Sequence, residues 1–286
     1  MSRILKIYFE KHPERLKEYN ESKERYKNGE SLTRIAKTNV YIKNRKELSK
    51  LFKEDNITIK MNGQKYKYNE SAFSEINTEE SAYWLGYLYA DGNVNELRNC
   101  FDLSVSEKDY EHLIKFKNYI SEDLQLIKRK SHLSSTNKEY YSYRCYVVNK
   151  TITENLLKYN CNWSKTYDVE FPNFISKELM PHFIRGYFDG DGCISLTSQS
   201  RLSFTSASKE FLIMLQNYLK DNLSINKNKL YQDKRRQSTY SIQWGSKNDI
   251  QKFFNYIYKD ATIFLKRKHD VYIELLGRLK TKPLKS

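Results

Sequence analysis

The sequence predicts an α+β protein built from two copies of one αββαββα unit, preceded by a small helical segment. Three observations carry this: a motif that returns after 100 residues, alternating strands behind each copy, and a first quarter with its own composition. SAYWLGYLYADGNV (Ser81 to Val94) and PHFIRGYFDGDGCI (Pro181 to Ile194) align without a gap, and five of the nine glycines lie in these windows. FDLSVSEKDYEHLIKFKNYI (Phe101 to Ile120) parallels LSFTSASKEFLIMLQNYL (Leu202 to Leu219) at nearly the same separation. Self-similarity at a fixed period marks duplicated structural units.

The elements follow in order. Residues 1–70 form a helical module and linker, and residues 71–175 and 176–286 form the first and second repeats. In residues 1–70, 18 Lys/Arg stand against 10 Asp/Glu, so +8 of the net +15 falls there. His12 to Lys27 reads as a charged helix, and a second helix begins after Ser31, a plausible N-cap. A break around Thr38–Val40 precedes a third helix, Ile42–Lys53, rich in Lys and Arg. Two short helices joined by a tight turn resemble a helix-turn-helix, although a plain helical hairpin has the same signature. Asn56 to Ser71 reads as a polar, partly extended linker.

Each repeat opens with an aromatic-rich helix that ends in Asp-Gly. Phe101, Leu103 and Val105 then alternate with Asp102, Ser104 and Ser106, as Leu202 and Phe204 do with Ser203 and Thr205. A period of two describes strands with one buried and one polar face. Helices follow from about Lys108 and Lys209. In the second strand pair, Tyr141, Tyr143, Cys145 and Val147 share a face, and Tyr240, Ile242 and Trp244 do likewise. Closing helices are expected near Thr151–Tyr159 and Asn248–Tyr258.

Composition narrows the function. Fifty Lys/Arg against 35 Asp/Glu give +15 and favour a polyanionic partner, nucleic acid first, because neutralised phosphates release counterions. No apolar run has the length of a signal sequence or a membrane span, so no membrane partner is expected. Cys100, Cys145, Cys161 and Cys193 lie far apart without a CxxC pair, as do His12, His112, His132, His182 and His269 without ligand spacing. That argues against a zinc knuckle or a disulfide framework and fits a reducing cytoplasm.

The chemistry is expected where the two motif helices end. At about 3.6 residues per turn, Gly86 and Ala90 share one helix face, and Gly186 and Gly190 share the matching one. Small residues at that spacing let two helix backbones approach closely. Packed so, Asp91 and Asp191 emerge side by side, each followed by a glycine (Gly92, Gly192) suited to a left-handed helix end. Adjacent carboxylates at helix C-termini repel each other and the helix dipoles, and a hard divalent cation relieves both. Such ions serve phosphodiester hydrolysis. A single Asp-Gly would be an ordinary helix-end turn; two in register suggest a shared metal site.

Leu85 to Gly92 and Ile184 to Gly192 resemble the paired LAGLIDADG motifs of single-chain homing endonucleases. The likeness covers about 210 residues in motif, spacing and element order. It implies two four-stranded sheets forming a saddle over the DNA major groove, and site-specific double-strand cleavage with Mg²⁺, for which Mn²⁺ can substitute. Asp91 and Asp191 match the family's metal-binding acids, with Gly92 and Gly192 beside them. The first copy departs from the pattern with Tyr89 where the second has Asp189. A basic residue near the scissile phosphate would match Lys165 and Lys268, which stand 74 and 77 residues beyond the two acids. Glu107 and Ser208 occupy corresponding strand ends. Outward strand residues for reading DNA are Arg98, Lys128, Lys130, Arg144, Arg201, Lys227, Lys229, Arg235 and Gln243, with Arg and Gln suited to base edges and Lys to phosphate.

The expected partner is duplex DNA bound by a monomer. Two other uses of the scaffold stay open: a non-cleaving DNA-binding regulator, expected to lack a motif acid, and a maturase that binds intron RNA. An intein-embedded form is not expected, since it needs a terminal nucleophile and a final His-Asn where this chain has MSRILK and TKPLKS.

Overall fold

The computed structural model describes residues 3–28, 30–57, 66–133, 138–161, 170–195, 200–226, 229–233 and 239–280. They fall into two compact units, Met1–Lys65 and Tyr66–Ser286. Among the described residues, no helix is long and apolar enough to cross a membrane.

The first unit holds four helices: α1 (Arg3–Lys11), α2 (Pro13–Lys27), α3 (Leu32–Thr38) and α4 (Arg45–Glu54). The sequence reading missed α1, whose Leu5 and Phe9 join a core with Tyr19, Ile35, Leu48 and Phe52. Ser31 caps α3 as expected, accepting from the Arg34 amide at 3.3 Å. The third helix starts at Arg45 rather than Ile42, because Asn44 caps it by accepting from the Lys46 amide at 2.8 Å, while Ile42 is buried in the preceding turn. The unit ends at Lys65, not at residue 70. Tyr66 and Tyr68 pack on the second core, and the Lys67 amide donates to Asp123.

The second unit carries the duplication. A first motif helix (Glu79–Asp91) leads into β1 (Gly92–Asn95), β2 (Cys100–Ser106), a helix (Tyr110–Ile120), β3 (Ile127–Leu133), β4 (Lys138–Val148) and a short helix (Lys150–Leu157). A second motif helix (Met180–Asp191) leads into β5 (Gly192–Ser195), β6 (Arg201–Ser206), a helix (Lys209–Leu223), β7 (Lys229–Gln232), β8 (Tyr240–Trp244) and a helix (Lys247–Tyr258). The two antiparallel sheets have matching strand orders, β1-β2-β4-β3 and β5-β6-β8-β7. A further helix, Lys266–Lys280, follows the second repeat, beyond the element order read from the sequence. The alternation works as expected: Phe101, Leu103, Cys145 and Val147 are buried on one face of the first sheet, and Leu202, Phe204, Ile242 and Trp244 on that of the second.

Candidate active site and nucleic-acid interface

The two motif helices are the centre of the second unit, and their contact is backbone on backbone. A methyl group on Gly86 would lie 2.1 Å from the carbonyl oxygen of Phe183, and one on Gly186 would lie 1.9 Å from that of Tyr83. The contact is reciprocal, each glycine facing the carbonyl three residues before the other. One turn later a Cβ on Gly190 would stand 2.3 Å from the Ala90 Cβ, so one of these two positions must lack a side chain. Gly86, Ala90, Gly186 and Gly190 thus all occupy the helix interface.

This approach brings the end of one motif helix against the end of the other. A Gly190 Cβ would be 3.3 Å from Asp91 Oδ2, which places the Asp91 carboxylate against the residue preceding Asp191. Both carboxylates act on the buried Tyr187 hydroxyl, which burial first and then Asp191 and Asp91 push well above the usual tyrosine range. Asp91 is exposed and Asp191 half-buried. Neither motif helix has a basic residue in its last turn. The fit to a hard cation therefore rests on two carboxylates, offered by helix ends whose dipoles add to their negative field. Among the described residues no group of three or more His, Cys, Asp or Glu adds to them.

The glycines after the acids serve a purpose other than the one expected. Gly92 and Gly192 have φ of −77° each, ordinary extended backbone rather than a left-handed turn. Glycine is required by space: a Cβ on Gly92 would lie 2.7 Å from the Leu88 carbonyl oxygen, and one on Gly192 2.5 Å from that of Phe188. The strand consequently starts directly at the helix end.

Lys268 lies at the first turn of the last helix and is buried. Its ammonium donates to the carbonyls of Phe188, Asp189 (2.9 Å) and Gly192 (2.5 Å), capping the C-terminal end of the second motif helix. Burial pulls it down to about 8, against the attraction of Asp189 and Asp91. The Gly192 carbonyl is therefore already engaged. Lys165, its expected counterpart, lies outside the described residues.

Strand register sorts the expected DNA-reading residues. In the second sheet Cys193, Ser203, Gln243 and Lys229 form one row across all four strands, on the face opposite the core, and Arg201 shares that face. In the first sheet Ser104 pairs with Arg144, which pairs with Ile127, so Arg144 faces outward. Arg144 donates to Asp102 and stacks on Tyr146 at 4.6 Å, and Asn93 donates to the same carboxylate at 3.1 Å. Arg98 is exposed in the turn between β1 and β2.

Lys128 and Lys130 do not join this face. They pair with Tyr143 and Tyr141, the side that carries the core, and bind Glu107 at 3.2 Å and Glu139 at 2.5 Å. Arg129, overlooked in the sequence, points outward instead, opposite Ser142. The β3–β4 register decides this: Arg129 stands two residues on from Ile127, the partner of Arg144, and so shares its face. Lys227 and Arg235 lie outside the described residues. Ser208, paired earlier with Glu107, is the N-cap of its helix, accepting from Phe211 N at 3.2 Å.

Two further polar groups escaped the sequence reading. Arg185 is wholly buried in the second motif helix and donates to Glu79 (2.5 Å), Ile257 O (2.6 Å) and Ile263 O (2.8 Å). Arg267 binds Asp109 at 2.9 Å. An arginine amid apolar motif positions was the available signal for the first; the second pairs residues too distant in sequence to leave one.

Residues 178–258 match the family model described as a LAGLIDADG-like domain. A solved structure of the homing endonuclease I-WcaI bound to its DNA recognition sequence is similar with a TM-score of 0.51 and 17% identity, over 76% of this chain and 96% of that one. I-DmoI, solved in complex with DNA and Mn, gives 0.40 at 18% identity, over 66% and 97% of the two chains. Among curated proteins, a probable translation initiation factor IF-2 of Methanocaldococcus jannaschii is 31% identical over 137 residues, 46% of this chain. The chain spans about a tenth of that relative's length, 10% being matched. Residues 178–258 thus match a LAGLIDADG-like domain, and the two-repeat fold around them resembles that of the homing endonuclease I-WcaI.

Proposed function

We propose that the chain is a double-motif LAGLIDADG endonuclease that cuts both strands of a long, specific DNA site with Mg²⁺, Mn²⁺ substituting. The single observation that supports this reading is the Asp91 carboxylate lying 3.3 Å from where a Cβ on Gly190, the residue before Asp191, would stand. A divalent cation held there would activate a water and neutralise charge on the leaving oxygen. The chain's own residues do the rest. Asp91 and Asp191 supply anionic oxygens from opposite repeats, so a scissile phosphate on either strand can approach the pair. Lys268 holds the carbonyl end of the second motif helix and so positions Asp191. The outward-facing Arg129 and Arg144, and the row Lys229–Gln243–Ser203 with Arg201, supply donors for guanine and adenine edges and for phosphate.

Selection of cleaved sites from a randomised DNA library in Mg²⁺ tests activity and specificity together. Asp91→Asn and Asp191→Asn should each abolish double-strand cleavage, as EDTA should, while affinity for the selected duplex stays within a few-fold. Robust cutting by either single variant would remove the shared-site reading.

A further inference from the structure

The first unit carries a face that the proposed cleavage chemistry does not use. On α4 the buried residues Leu48, Leu51 and Phe52 fix one side against that unit's core. The opposite arc consists of Arg45, Lys46, Ser49, Lys50 and Lys53, in which every cation is exposed, and exposed Lys43 stands just before it. No acid lies in that arc. The neighbouring acids are turned to internal duties. Glu47 binds Arg15 at 2.6 Å, and Asp55 binds Lys23 at 3.0 Å. Glu18 accepts from the amides of Val40, Tyr41 (2.9 Å) and Ile42 (2.7 Å), locking the turn between α3 and α4. Glu54, 4.0 Å from Lys50, touches the stripe from its edge.

We propose that this face of α4 is a second DNA-contact surface, seated in the major groove of a duplex. A ten-residue helix is about 15 Å long and about 10 Å across, which a B-form major groove about 12 Å wide admits. The deep, narrow major groove of A-form RNA does not, so the occupant is DNA. The locked turn matters because it holds the start of α4 at a fixed angle to α3, leaving the lysines as a preorganised row rather than a loose tail. The inference extends the DNA-binding part of the proposed function, and rests on it for the choice of probe.

The test uses the full chain in EDTA, so that binding is measured without cutting. Affinity for a long mixed-sequence duplex, and for one carrying the selected site where cleavage yields one, is followed from low to moderate salt. The variant Lys46→Ala/Lys50→Ala/Lys53→Ala should flatten the slope of log affinity against log salt by about 0.9 for each phosphate no longer neutralised, nearly 3 in all. Its footprint should shorten, and its melting temperature should not change, because all three side chains are exposed. Lys46→Arg/Lys50→Arg/Lys53→Arg should restore slope and footprint. An unchanged slope and footprint in the alanine variant would overturn the proposal. So would loss of binding to an RNA hairpin with duplex DNA binding intact. In a parallel reaction with Mg²⁺, cutting by both proteins together with equal slopes would sink this surface and leave the endonuclease reading; unequal slopes without cutting by either would do the reverse.

Discussion

The two motif helices share one backbone contact but surround it with opposite chemistry. Tyr83 and Phe183 are matched positions, as are Tyr89 and Asp189. On one side of the interface the Tyr83 hydroxyl donates to Asp189 Oδ2 at 2.7 Å, and Leu265 N donates to the same oxygen at 2.8 Å. On the other, Phe183 meets the Tyr89 ring edge-on at 5.1 Å, and the Tyr89 hydroxyl donates to the Tyr159 carbonyl. Leu85 is likewise apolar where Arg185 is charged. The duplicated parts are those the close approach demands, Gly86 and Gly186. The side chains around them are free to differ so long as partners change together: Asp189 requires Tyr83, and Tyr89 accepts Phe183. The polar side leaves a residue of strain, since Asp189 Oδ1 is buried with no hydrogen-bond partner among the described residues, and burial pushes this carboxyl up to about 6.

The largest expected effect tests what the two sides have in common. Gly86→Ala puts a methyl group against backbone that cannot rotate away. It should cost on the order of 3 kcal/mol and lower the melting temperature by roughly 6–12 °C. Gly190→Ala meets only the Ala90 methyl group. It should be rescued in large part by Ala90→Gly, less about 1 kcal/mol for a helical glycine. Rescue of Gly190→Ala without rescue of Gly86→Ala by the same change would confirm which contact is backbone. An unchanged melting curve for Gly86→Ala would mean that the helices do not meet there.

Next in size is the difference between the two tyrosines. Tyr83→Phe removes a donor from a buried carboxylate and should cost about 1.5–3 kcal/mol. Tyr89→Phe removes a neutral hydrogen bond to a carbonyl and should cost about 0.5–1.5 kcal/mol. Urea unfolding measures both, and equal costs would erase the proposed asymmetry between the polar and apolar sides.

Much of this architecture was legible in the sequence, and the unread parts have physical causes. The repeat, the alternating strands and the small-residue helix faces depend on local periodicity, which a sequence displays. Lys128 and Lys130 were expected on the outward face with Arg144, yet the β3–β4 register turns them to the other side. Parity within one strand is visible in sequence, whereas parity across a hairpin depends on how the turn pairs the strands. Lys268 was read as a phosphate contact, but its ammonium is committed to helix-end carbonyls. The helix that carries it, Lys266–Lys280, has no counterpart in the repeat pattern that guided the reading. Arg185 and Glu79 stand 106 residues apart, and no local rule joins them.

The smallest effect concerns a matched pair one layer out. His112 and Phe211 begin the same burial pattern on their helices, followed by Leu113, Phe116 and Ile120 in one repeat and Leu212, Leu215 and Leu219 in the other. Phe211 packs on Tyr187 at 4.5 Å, while His112 sits against Tyr83, Trp84 and Tyr87 with Nε2 2.7 Å from the Tyr83 hydroxyl. Burial pulls His112 down to about 3, and Lys115 and Arg267 pull in the same direction against Asp109. The folded protein therefore leaves the ring neutral over a range in which the unfolded chain protonates it, from about pH 6.5 downward. Since the unfolded state then binds more protons, stability falls as pH falls, by about 1.4 kcal/mol per pH unit below 6.5. His112→Phe installs the residue of the second repeat and should remove that slope, leaving only the losses both proteins share. Urea midpoints measured from pH 7 to pH 5 should diverge, the wild type falling faster. Parallel profiles would mean that His112 is protonated in the folded state, and the layer around Tyr83 would then be open to water rather than sealed.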